Sequence, residues 1–103
     1  MAYDLMITDD AHNDIDEVLA YITGTLSNRF AAASLMDQID ACYAQLQKFP
    51  FSFEPCRDIR LKNLGYRKAV IENFVMVYRP LEEEHRVYIL RFFYGGRDYE
   101  KLL

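Results

Sequence analysis

Three runs of β-forming residues follow one another at 65–71, 74–79 and 86–94, and they limit the possible folds more than anything that precedes them. Tyr66, Val70 and Ile71 mark the first, Phe74, Val75, Val77 and Tyr78 the second, and Val87, Tyr88, Ile89, Phe92 and Phe93 the third. Glu72-Asn73 reads as a tight turn between strands. Pro80 to His85, with three consecutive glutamates, reads as a wider turn, and Gly95-Gly96 breaks the last strand. Residues 98–103 are then a short helical or irregular tail. Arg67, Arg79, Arg86, Arg91 and Arg97 lace this region, as on a surface built to meet an anion.

The preceding half is helical. Tyr3 to Ile7 alternates as a short strand, after which Thr8 or Asp9 caps a helix with acids near its N-terminal dipole. Ile15, Val18, Leu19, Ile22 and Leu26 recur at helical spacing, and Gly24 near Ser27-Asn28 marks the end. A second helix starts from Ser27 or Asn28. Its stripe of Ala32, Leu35, Ile39, Cys42, Leu46 and Phe49 forms one apolar face, and Pro50 stops it. So short a connection folds the two helices into a hairpin. Beyond an aromatic loop at 51–55, Asp58 to Lys62 alternates as a strand, and Asn63-Leu64-Gly65 turns the chain onward. The main order is β-α-α-β-β-β with a C-terminal tail. That predicts an α+β domain over 1–103, its helical hairpin packed on one face of a mostly antiparallel sheet.

A length of 103 residues, half of them apolar, suits one domain with one core. Neither a membrane span nor a signal peptide is visible, so the expectation is a cytoplasmic protein that meets no membrane. Cys42, on the apolar stripe, and Cys56, in a loop, form no metal motif with His12 or His85, so neither metal nor cofactor is expected. Charge is divided unevenly. Residues 1–53 hold eight acids against Arg29 and Lys48, whereas 54–103 hold ten bases against eight acids. Within 55–79, Arg57, Arg60, Lys62, Arg67, Lys68 and Arg79 face only Asp58 and Glu72, a pattern that suits a nucleic-acid backbone or an acidic peptide.

Several local signatures stand in a fixed order: Ile7-Thr8 with Ala11 and Asp14-Ile15, Tyr21-Ile22, Ala31-Ala32, and Leu46 with Pro50. Gly65-Tyr66-Arg67, Val77-Tyr78-Arg79, Val87 to Arg91 and Gly96-Arg97-Asp98 continue it. The ordered set resembles the RelE/ParE superfamily of toxins from bacterial type II toxin–antitoxin modules, across nearly the whole chain. The resemblance implies growth arrest, a plasmid-stabilising role and a cognate antitoxin partner that wraps the domain.

RelE-like members are similar to metal-free endoribonucleases that cut mRNA on the ribosome. For that activity the resemblance implies Arg67 and Arg97 as phosphate-gripping arginines and Tyr99 as the proton-transfer group, with Arg57, Arg60, Lys62 and Lys68 along the RNA. Arg60 and Lys62 match the family's basic pair only partly, and no histidine stands near Arg97. ParE-like members resemble the same fold acting instead on DNA gyrase. The joint presence of Arg67, Arg97 and Tyr99 favours the mRNA endonuclease, with the gyrase inhibitor as the alternative and a catalytically inert, antitoxin-binding module as a third reading.

Overall fold

A computed structural model describes residues 2–95 and 99–103, Tyr99 and Glu100 by their backbone alone. Strand β1 (Asp4–Ile7) leads into helix α1 (Asp9–Ala20), capped by Thr8, whose hydroxyl accepts from the Ala11 N–H. A π-helical turn at Tyr21–Thr25 ends this helix, with Leu26 N–H reaching back to the Tyr21 carbonyl. Gly24 lies inside that turn, where its weak helical preference loosens the last coil. Helix α2 (Arg29–Lys48) starts from Asn28, whose side chain accepts from Ala31 N–H at 2.9 Å.

The α2 stripe packs as its spacing predicts from Ala32 through Leu35, Ile39 and Cys42 to Leu46, all buried. Phe49 departs from the expectation. The helix stops at Lys48, Phe49 takes an extended φ of −133°, and its ring is 64% exposed. Pro50 is buried in its place.

Residues 58–62 are a correction. The expected strand is helix α3 (Ile59–Asn63), capped by Asp58, whose carboxylate accepts from the N–H groups of Arg60 and Leu61. Five residues of alternation are too few to separate a strand from one helical turn, and the cap decides for helix. Leu61 is therefore fully buried while Ile59 is 68% exposed, although in a strand both would share one face. Gly65, at φ +81°, makes the turn into β2.

Strands β2 (Arg67–Ile71), β3 (Phe74–Leu81) and β4 (Arg86–Tyr94) form an antiparallel meander, and β1 joins parallel to β4, giving the order β1-β4-β3-β2. One face carries Ala69, Ile71, Met76, Tyr78, Val87, Ile89 and Phe92 against the helical hairpin, together with Ala11 and Ile15. A smaller cluster of Cys56, Leu61, Val75 and Val77 covers part of the other face, with Leu103 of the tail packed on it. The α-helical cover is thus two-sided, α3 lying opposite the hairpin.

A bulge in β4 sets the charged architecture. Val77 pairs with Arg91 but Tyr78 with Ile89, so Leu90 is the extra residue and the side-chain alternation shifts there. Beyond Ile7 the β4 edge is no longer paired by β1, and two α1-side groups take over. The Thr8 hydroxyl bonds the carbonyls of Ile89 (2.8 Å) and Leu90 (3.0 Å). Asp14 accepts from Phe92 N–H at 3.0 Å and grips the Arg91 fork at 2.7 and 3.0 Å.

Arg91 also lies over the Phe93 ring at 4.6 Å. Its partner is Asp14. Hydrogen bonds donated to the Asp14 carboxylate hold the arginine's charge and raise its pKa. The pair is partly buried, with side chains 25% and 14% exposed. Asp14→Ala strands a cation and a backbone N–H together, so it is expected to cost about 1.5–3 kcal/mol in urea unfolding. A loss below about 0.5 kcal/mol contradicts this role for Asp14.

Candidate functional site

Arg67 is the first residue of β2 and pairs across the strands with Tyr78. It shares the helix-facing parity of Ala69 and Ile71. Its guanidinium Nη1 donates to the Phe53 carbonyl at 2.6 Å and lies 3.5 Å from that of Phe51, the limit of a useful bond. The same guanidinium rests over the Phe51 ring at 5.0 Å. Tyr78, fully buried, donates its hydroxyl to the Pro50 carbonyl at 3.0 Å. The loop that follows α2 has no strand or helix partner at 50–53, so its carbonyls need donors. Arg67 and Tyr78 supply them, so together they staple the aromatic loop to the sheet.

This pairing is unsuited to proton transfer. Burial pushes Tyr78 up to about 12, against the downward pull of the Arg67 charge. Burial likewise raises the Cys42 thiol to about 11, and burial, with Cys42 and Asp40 nearby, raises Tyr43 to about 12.

The unfolded chain releases these protons first, near the ordinary values of 9 and 10. Stability is then fully present below pH 9 and falls as pH climbs toward 12, because the unfolded state binds fewer protons across that window. The urea midpoint is expected to be level from pH 7 to 8.5 and to drop by pH 10.5, and Cys42→Ala to delay the onset. A midpoint unchanged at pH 10.5 contradicts the burial of these groups.

The remaining candidates among the described residues are scattered. Arg60 and Lys62 stand two apart on α3, roughly 200° around the helix, so they do not act as a pair on one face. Arg57 precedes α3 and is exposed. Lys68 has the parity opposite to Arg67 and lies on the outer face of the sheet, its N–H donating to the Glu54 carbonyl. Arg97 falls outside the described residues. Tyr99 begins a 3-10 turn, Tyr99–Leu102, and its side chain is likewise outside the description. The tail that carries it returns to the outer face through Leu103, whereas the Arg67 guanidinium is on the hairpin side. Among the described residues, no group of three His, Cys, Asp or Glu is placed to hold a metal.

A second feature is invisible to the sequence reading. Where the π-turn meets the start of α2, a groove of about 670 Å³ opens between the helices and the ends of β3 and β4. Phe74, Tyr94, Tyr21, Leu26 and Phe30 are among the residues that line it. Phe30 is 86% exposed and the other three of Tyr21, Leu26 and Tyr94 are each more than half exposed. The available signal is that Phe30 is a large aromatic off the buried stripe of α2.

The sequence matches the ParE toxin family of type II toxin–antitoxin systems, parDE, over residues 5–99. No curated protein sequence matches the chain. Among solved structures, a chain of the chromosomal ParDE system from P. aeruginosa superposes with a TM-score of 0.70 at 20% identity, covering 90% of this chain and 96% of that one. A chain of the RelBE2 toxin–antitoxin complex from Mycobacterium tuberculosis gives a TM-score of 0.64 at 19% identity, covering 91% and 99%. At such identities these likenesses establish a shared fold, with β1 and the helical hairpin set against the meander.

Proposed function

The chain belongs to the ParE toxin family of type II toxin–antitoxin systems, and from that premise we propose that it is a growth-arresting toxin that acts on DNA gyrase and is neutralised by a cognate antitoxin. The observation that carries the choice of target is the engagement of Arg67. In the ribonuclease alternative, this arginine grips the scissile phosphate. Here its guanidinium is bonded to the Phe53 carbonyl, stacked on Phe51 and turned to the face opposite Leu103. A phosphate clamp needs two cations converging on one point with a proton-transfer group beside them. Arg67 serves the loop instead, and Tyr78, the tyrosine beside it, holds its proton up to about pH 12.

Overall charge adds a second, weaker support. The chain carries a net charge of −4, while binders of ribosomal RNA neutralise phosphates with many Lys and Arg. No helix among the described residues is long and apolar enough to cross a membrane. The test is to induce the chain under tight control and follow pulse-labelled thymidine and methionine. Arrest of DNA synthesis before protein synthesis is the expected result. Arrest of translation first, with shortened mRNA, transfers the case to the ribosome-dependent endonuclease.

A further inference from the structure

Arg67 and Tyr78 fix the backbone of the aromatic loop and leave two of its rings outside. Phe49 and Phe51 are exposed, whereas Phe53 turns in and meets Tyr78 edge-on at 6.3 Å. The loop adds ties of its own. Ser52 donates its N–H at 3.1 Å and its hydroxyl at 2.8 Å to the Phe49 carbonyl, and Gln45 Nε2 donates to Ser52 Oγ at 3.3 Å. A buried tyrosine hydroxyl and an arginine fork committed to a loop whose rings stand in water stabilise a shape, not a core. Large apolar rings gathered in one exposed place mark an interaction surface, and rigid aromatics are the residues that anchor one. A loop already this ordered gives up little more entropy on binding.

Two open hollows of about 470 and 460 Å³ border the loop. Phe51 and Glu82 line both, so the Phe51 ring stands as the ridge between them. Tyr3, stacked on His85 at 4.1 Å, backs the second. A ridge that carries anchors is received by a cleft in a larger folded protein, whereas a segment that folds as it binds needs a groove. The β3–β4 turn beside the ridge is anionic, with Glu82, Glu83 and Glu84 all exposed. Glu84 is engaged by the Tyr88 hydroxyl at 2.9 Å and by Arg86 at 3.6 Å, which leaves Glu82 and Glu83 to face a partner. Those charges repel a phosphate backbone and favour lysine or arginine on a protein.

We propose that the loop at 49–53 is the element this toxin inserts into gyrase, with Phe49 and Phe51 in a cleft of the enzyme and Glu82 and Glu83 against basic residues at its mouth. The identity of the partner rests on the target reading above; the chemistry of the docking rests on the loop and its neighbouring turn. An enzyme that handles DNA meets both demands, because it has clefts that hold the duplex and lysine and arginine that face phosphates.

The test uses purified full-length toxin with gyrase, ATP and relaxed plasmid, and reads the toxin concentration that halves supercoiling. Affinity for the full-length antitoxin and the melting temperature are read beside it. The wild type is the first arm. Its failure to inhibit overturns the target reading and the docking partner with it, whereas inhibition that the loop variants retain in full overturns the docking alone. Phe49→Ser and Phe51→Ser are each expected to raise the inhibitory concentration about thirtyfold or more, as loss of an anchor does, with antitoxin affinity unchanged. Phe51→Ser also gives up its contact with Arg67, so Phe49→Ser decides the matter if Phe51→Ser unfolds. Glu82→Lys with Glu83→Lys should weaken inhibition and flatten its dependence on salt. Ile59→Ser, a similarly exposed apolar side chain on α3, is the control and should inhibit as the wild type does. Loss of antitoxin affinity while gyrase inhibition persists gives the loop to the antitoxin and overturns the proposal. So does a toxin dimer that Phe51→Ser dissociates, since a second copy then covers the rings.

Discussion

Leu35→Ala or Ile39→Ala is expected to lower the stability of the domain by about 2–5 kcal/mol. Both side chains sit on the α2 stripe with essentially no exposure, between the hairpin and the helix-facing side of the sheet. Truncation removes transfer energy and leaves a hole that close packing cannot fill. Domains of this size are stable by only about 5–15 kcal/mol, so either change removes a large part of the total. The informative comparison is with Phe49→Ala and Ile59→Ala, which delete as many carbons or more. Those residues are 64% and 68% exposed, so urea midpoints close to wild type are expected for both. If Phe49→Ala proves as damaging as Leu35→Ala, the end of α2 is wrongly described.

Arg67→Ala separates the two activities by what it harms. In a ribonuclease, loss of a charge-stabilising arginine slows the chemistry by about 10²–10³ and leaves the fold intact. In the present account the same change leaves the Phe53 carbonyl without its donor and Phe51 without its stacking partner, so stability falls by about 1–2 kcal/mol. Tyr78→Phe should destabilise in the same sense, because it strands the buried Pro50 carbonyl. Tyr99→Phe should leave growth arrest at its wild-type level. A toxin whose arrest is abolished by Tyr99→Phe or by Arg67→Ala, with unfolding unchanged, is a nuclease.

The sequence reading succeeds where periodicity is long. Twenty residues of α2 repeat one stripe, and the β2–β3 turn is marked by the polar pair Glu72-Asn73 between two apolar runs. It fails where structure depends on short segments or distant partners. One helical turn at Ile59–Asn63 imitates a strand until its cap is considered. The bulge at Leu90 alters side-chain alternation without a residue that announces it.

Candidate residues divide along the same line. Arg67 is identifiable as a conspicuous cation on a strand, but its partners are backbone carbonyls, which any residue type supplies. Asp14 and Arg91 lie 77 residues apart, so their pairing becomes visible only when α1 covers the β4 edge. The groove has the same origin. Tyr21, Leu26, Phe30 and Tyr94 look like core material in sequence, and only the packed hairpin shows that they are left over.

The target is tested most directly by incubating purified toxin with gyrase, ATP and relaxed plasmid, and in parallel with translating ribosomes and a defined mRNA. The account predicts blocked supercoiling with trapped DNA breaks, both reversed by antitoxin, and full-length mRNA throughout. Normal supercoiling beside mRNA cut on the ribosome contradicts it.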